Sequence, residues 1–235
     1  MFISQQEFCY NLENVQEEIR LAEARAGRSE GSVTLLPVTK NHPVDAARYA
    51  VDAGLMAVGE NRVQEALSKM DDAPKTLKWE LIGPLQSNKT KKAAERFHRV
   101  QTVDRVKILR ALQRHADDAG RELPILLQIN AGSDPNKSGA TLEEADALLE
   151  AALEASRLIP EGLMTIAPYS DDSKLARGCF AALRQCRDRL EASFQVALPE
   201  LSMGMSGDLE EAILEGTTMV RVGTALYGTR SYQDA

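Results

Sequence analysis

Eight short β-branched or apolar runs, each followed by a stretch of helical period, predict an α/β chain closed into a (β/α)8 TIM barrel. Eight such units within roughly 200 residues suit a closed barrel better than an open doubly wound sheet. A further helical segment at about 6–26 precedes the first run and is expected to pack outside the barrel. No stretch rich in Pro, Gly or Ser separates the units. The expectation is one domain over 1–235, with a helical extension at 1–30, the barrel at 31–230 and no C-terminal β-domain.

The first strand is read from Val33-Thr34-Leu35-Leu36-Pro37-Val38-Thr39-Lys40, with a helix at 43–53 after it. Ala57-Val58-Gly59 and a helix at 62–70 form the second unit. Trp79-Glu80-Leu81-Ile82-Gly83 and a basic helix at 89–97 form the third. Arg99-Val100-Gln101-Thr102-Val103 precedes a helix whose start at Asp104 offers an N-cap carboxylate. Pro124-Ile125-Leu126-Leu127-Gln128-Ile129-Asn130 is apolar almost throughout, as buried parallel strands are. After it, Thr141-Leu142-Glu143-Glu144 has capping-box spacing, and Ala145, Leu148, Leu149 and Ala152 recur at helical intervals. Gly162-Leu163-Met164-Thr165-Ile166 leads to a helix at 173–194, and Glu200-Leu201-Ser202-Met203 to a helix from Asp208. Met219-Val220-Arg221-Val222 closes the series.

Composition narrows the function classes. Apolar residues make up 43% and charged residues 27%, ordinary for a soluble globular protein. A net charge of −7 argues against a nucleic-acid binder that relies on bulk positive charge. No apolar run approaches the roughly 20 residues that cross a bilayer. The start, Met1-Phe2-Ile3-Ser4, lacks the basic and apolar regions of a secretory signal, so a cytoplasmic protein without a membrane partner is expected. Cys179 and Cys186 fall on one helical pattern about 10 Å apart, too far for a disulfide, and read as small buried apolar residues. Neither Cys9 nor His42, His98 and His115 adds metal-ligand spacing, so no metal is expected.

In a barrel of this class the site lies at the C-terminal ends of the strands. Lys40 ends the first. Gly204-Met205-Ser206-Gly207-Asp208 follows the seventh and Gly223-Thr224 the eighth, the pair of loops that often hold a phosphate in such barrels. The plainer reading of the first loop is helix capping by Ser206. Strand alternation turns Lys40 inward with Leu36 and Val38, where a poorly hydrated amine suits Schiff-base chemistry; a solvated lysine at a strand end is the alternative. Arg221, inside the last strand, needs a partner at the mouth. Lys89, Lys91 and Lys92 read as a solvated helix face, Lys137 as a surface residue and Trp79 as barrel-wall packing.

Five segments, in order along almost the whole chain, are together specific: Val38-Thr39-Lys40, Gly59-Glu60-Asn61-Arg62-Val63-Gln64-Glu65, Ile82-Gly83-Pro84-Leu85-Gln86-Ser87-Asn88-Lys89, Leu201-Ser202-Met203-Gly204-Met205-Ser206 and Val220-Arg221-Val222-Gly223-Thr224. With them the chain resembles the pyridoxal phosphate homeostasis proteins, whose fold is similar to the alanine racemase N-terminal domain. The resemblance implies pyridoxal 5′-phosphate (PLP) as cofactor, held as a Schiff base on Lys40. It implies phosphate contacts at Ser206, Gly223 and Thr224, Arg221 facing the pyridine nitrogen, and Asn61 and Met203 near the ring. Glu80, where many members carry histidine, and the loose segment 131–136 depart from the pattern. An arginine cannot take up the ring proton, so the cofactor is expected to be a weak electron sink.

The resemblance therefore implies a PLP-binding protein of intracellular PLP homeostasis, without robust catalysis. It would buffer the cofactor or deliver it to PLP-dependent apo-enzymes, as a monomer or weak dimer. Two readings stand beside it. An amino-acid racemase of the same lineage needs a tyrosine as second base and a C-terminal β-domain; only seven residues follow Gly228, and nothing places Tyr227 or Tyr232 opposite Lys40. A PLP-free Schiff-base aldolase acting on a phosphorylated sugar would use the same lysine and phosphate loops.

Overall fold

A computed structural model of the chain describes residues 2–169 and 172–228. Its elements run α1 (Gln5–Arg25), β1 (Thr34–Pro37), α2 (Asp45–Asp52), β2 (Ala57–Glu60), α3 (Val63–Met70) and β3 (Lys78–Leu81). A 3-10 turn at Ser87–Lys89 leads into α4 (Thr90–Arg96), then β4 (Arg99–Val103), α5 (Val106–Asp118) and β5 (Leu123–Gln128). The chain continues through α6 (Ala145–Leu153), β6 (Leu158–Met164), α7 (Ser173–Phe194), β7 (Glu200–Ser202), α8 (Leu209–Leu214), β8 (Met219–Val222) and α9 (Thr224–Tyr227).

All eight strands pair in parallel, in the order β1-β8-β7-β6-β5-β4-β3-β2. Just beyond β1, a bridge from Val38 to Gly59 and a bond from Thr39 N to Gly59 O (3.1 Å) tie the first strand to β2 and complete the barrel. The expected α/β barrel is the observed fold.

Period-2 alternation divides the wall. One set of side chains, among them Leu36, Val38, Ile82 and Met219, forms a small inner cluster. The other set packs outward against α2–α7 in the largest hydrophobic cluster, which includes Trp79, Cys179 and Cys186. The two cysteines are buried free thiols on α7, as their spacing predicts. A third cluster seats α1 against the barrel. Phe8, Leu12, Val15, Ile19 and Ala22, spaced three and four apart, pack with Leu209, Ile213, Leu226 and Tyr227. The extra N-terminal helix thus covers the wall at the β1–β8 seam and α8 and α9. Ser4 and Glu7 start it with a reciprocal capping box.

Three local expectations need correction. Asp104 does not cap α5: Arg105 holds the cap position, and the Asp104 carboxylate accepts from the Arg105 guanidinium instead (2.7 Å). The Thr141–Glu144 box forms both of its bonds, 2.8 and 3.2 Å, but closes a turn ahead of α6 rather than its first helical turn. The basic segment is split, because Ser87–Lys89 tightens into a 3-10 turn before α4 begins. Among the described residues no helix is long and apolar enough to cross a membrane.

Candidate functional site

The C-terminal mouth of the barrel opens on a cavity of about 300 Å³, at the small end of small-molecule sites. Lys40, Asn61, Ser206, Arg221, Gly223 and Thr224 all line it, with Val38, His42, Ile82 and Gly207 completing much of the wall. Residues of β8 and of the segments that follow β1, β2, β3, β7 and β8 therefore converge on one cavity. Met203 does not join them. Ser202 points into the lumen, so the next residue along the strand turns outward, and Met203 is fully buried in the outer cluster.

Lys40 sits two residues beyond the inward-facing Val38, half-buried at the rim. A buried ionic cluster fixes the chain on both sides of it. Lys69 Nζ donates to Glu60 Oε1 (2.7 Å), Glu65 Oε1 (2.8 Å) and the Thr39 carbonyl (2.9 Å). Thr39 Oγ1 donates to Glu60 Oε1 (2.7 Å), and the Asn41 amide donates to Glu65 Oε1. Asn41 adopts a left-handed φ of 62°, a conformation asparagine tolerates better than most residues. Burial pushes the Glu60 carboxyl above its ordinary range, opposed by Lys69 and Thr39. The sequence reading missed this cluster. Its one available signal was the Glu65–Lys69 spacing of four on α3.

Arg221 is buried and finds partners, but neutral ones. Nη1 donates to Ser202 Oγ and Nη2 to the Thr165 carbonyl, both at 2.8 Å. Desolvation lowers its pKa to about 10, with the Asp208 charge opposing. It stays cationic at neutral pH.

The two glycine loops meet beside it. Ser206 Oγ accepts from the Ala225 amide (3.4 Å), which links the loop after β7 to the start of α9. Asp208 Oδ1 accepts from the Met205 amide (2.6 Å) and closes that loop. Gly204 has φ +92°, and a Cβ there would meet Ala212 Cβ at 2.5 Å, so only glycine allows the turn. On the opposite side, a Cβ on Gly83 would lie 2.1 Å from the Asn61 carbonyl; glycine lets that loop approach Asn61.

Other residues singled out in the sequence lie elsewhere. Lys137 is half-buried in the loop after β5 and does not line the cavity. Lys91 and Lys92 are exposed and face Glu95, while Lys89 lines an adjoining hollow with Arg62 and Gln64. Glu80 lies inside the barrel against Arg99. Tyr227 is buried among Phe2, Phe8 and His42, and its hydroxyl donates to the Ala46 carbonyl (3.0 Å). Tyr232 lies outside the described residues. His42, read in the sequence only as adding no metal-ligand spacing, lines the cavity with its ring 5.5 Å from Phe2 and 5.3 Å from Tyr227. Among the described residues no group of histidine, cysteine and carboxylate side chains could hold a metal ion.

The arrangement offers an amine for a carbonyl, a fixed buried cation and a glycine-lined hydroxyl pair for an anion. The model of the alanine racemase N-terminal domain matches residues 10–231. A pyridoxal phosphate homeostasis protein of Aquifex aeolicus is 40% identical over 225 residues, covering 95% of this chain and 99% of its own. PipY of Synechococcus elongatus, solved with PLP bound, superposes with a TM-score of 0.78 at 39% identity, over 89% of this chain and 98% of its own. An alanine racemase of Clostridium difficile shares the fold at 15% identity (TM-score 0.79), over 98% of this chain but 58% of the racemase. The chain belongs to the pyridoxal phosphate homeostasis protein family, built on the barrel of the alanine racemase N-terminal domain.

Proposed function

We propose that this chain holds PLP at the barrel mouth on Lys40 and serves intracellular PLP homeostasis as a carrier rather than by turnover. The observation that carries the reading is the convergence of Lys40, Arg221 and both glycine loops on one cavity. Family membership and the PLP-bound structure of a relative 39% identical support it. When bound, PLP supplies an aldehyde that a lysine amine attacks, with loss of water.

The residues divide that work. Lys40 provides the amine, and Val38 and Ile82 line the same cavity with it. Ser206, Gly223 and Thr224 would take the phosphate, the glycine leaving its backbone open to close approach. Arg221 would meet the ring nitrogen. A guanidinium has only N–H donors, so it leaves that nitrogen unprotonated and the ring a poor electron sink, which suits retention over turnover. Asn61 would border the ring. The ligand is PLP, the recipients would be PLP-dependent apo-enzymes of the cytoplasm, and a monomer or weak dimer would suffice for delivery.

Equilibrium titration with PLP and with pyridoxal tests the phosphate assignment. Ser206→Ala and Thr224→Val should each weaken PLP about ten-fold while leaving pyridoxal unchanged. Equal losses for both ligands would place the phosphate elsewhere. The loaded protein should leave L-alanine optically unchanged on prolonged incubation; its conversion to the D-form would argue for a racemase.

A further inference from the structure

Barrels of this class fill their interior with layers of branched apolar side chains. Here a hydrogen-bonded chain runs through the lumen from its floor to Arg221. Arg99 on β4 donates through Nε and Nη2 to Glu80 on β3 at 2.9 and 3.0 Å, and through Nη1 to Glu161 on β6 at 3.0 Å. Gln101, two residues further along β4, donates from Nε2 to Glu80 Oε2 at 2.6 Å. Ser202 Oγ on β7 donates to Gln101 Oε1 at 2.6 Å, and Arg221 Nη1 donates to Ser202 Oγ at 2.8 Å.

The two ends of this chain dictate every orientation between them. An ionised carboxylate only accepts and a guanidinium only donates. Gln101 must therefore turn its amide nitrogen to Glu80 and its carbonyl to Ser202. The single Ser202 proton then goes to Gln101, which leaves a hydroxyl lone pair facing Arg221. Glu80, Gln101 and Ser202 are all buried, so no solvent offers them an alternative partner. Arg99, bound to Glu80 and Glu161 at once, keeps the Glu80 carboxylate from following Gln101.

We propose that Gln101, anchored by Glu80, is a positioning residue for Arg221: it fixes the direction of the Ser202 hydroxyl and so the guanidinium plane presented to the cavity. Glu80, which the sequence left without a role, is the fixed end of the device. The inference rests on the PLP reading, because the ring nitrogen is what Arg221 is held to meet.

The test is a double-mutant cycle. Gln101→Met keeps the side-chain length and removes the hydrogen bonds to Glu80 and from Ser202. It should weaken PLP about ten-fold and move the visible absorption band of the loaded protein, while borohydride still fixes the cofactor to Lys40. In an Arg221→Met background the same substitution should change neither affinity nor band, since its path to the cofactor is gone. Ser202→Ala, which deletes one hydroxyl, should repeat both results and serves where Gln101→Met does not fold. Unchanged affinity and band, or the same loss in the Arg221→Met background, overturns the inference alone. A wild type that takes up no PLP overturns the functional reading, and the inference with it.

Discussion

Lys69 shows how far a residue's role can lie from its place in the sequence. It stands on α3, outside the cavity, yet its ammonium binds the carbonyl just before Lys40, and Glu65, which it also binds, holds the amide just after. Lys69→Met leaves the buried Glu60 carboxylate without its cation and should cost about 3–5 kcal/mol of stability. The pH dependence has a definite sign. Glu60 is raised by burial, so the penalty of its charged form grows as pH climbs from the ordinary 4.5 toward the raised value. Removing Lys69 enlarges that penalty, and acidification should relieve it. Urea denaturation at neutral and mildly acid pH should show the gap between variant and wild type narrowing in acid; an equal gap at both would exclude Glu60 as its source. Lys40 and Arg221 were legible in the sequence because a lysine at a strand end and an arginine within a strand are conspicuous. Lys69 and Gln101 were not, since ordinary polar residues gain meaning only from partners that the fold delivers, 30 residues away for Thr39 and 101 for Ser202.

Among the elements, α1 depends on how it is started. Ser4 Oγ accepts from the Glu7 amide, and the Glu7 carboxylate accepts from the Ser4 amide and hydroxyl. Ser4→Ala should lower stability by about 1 kcal/mol. The same bonds hold the Glu7 carboxyl below its ordinary range. Its contribution is therefore present above the ordinary carboxylate pKa and lost as pH falls through the lowered one, and Glu7→Gln should remove that pH dependence. Amide hydrogen exchange of the first turn across acid pH measures both. Long periodic elements could be read well: α7 spans Ser173–Phe194, the range its hydrophobic spacing predicts. α9 could not, because Thr224–Tyr227 is a single turn, too short for any period. Gly223 follows β8 as the N-cap of α9, close against Val38, and Tyr227 at its end packs with α1.

At the scale of the molecule, the barrel separates support from site. α1 and the outer clusters hold the wall, the polar chain in the lumen fixes Arg221 from below, and the Lys69 cluster fixes Lys40 from the side. Alternation and the barrel rule made the strand ends legible in sequence and put six residues in one cavity. The same alternation, counted one step further, sent Met203 to the other face. On the proposed function, Lys40 alone among the lysines of the chain would carry the cofactor. Borohydride reduction of PLP-loaded protein, followed by peptide mapping by mass spectrometry, tests it directly. The expected result is a single stable adduct on Lys40, absent from Lys40→Ala. An adduct on Lys89 or Lys137 with Lys40 unmodified, or no adduct on the wild type, would contradict it.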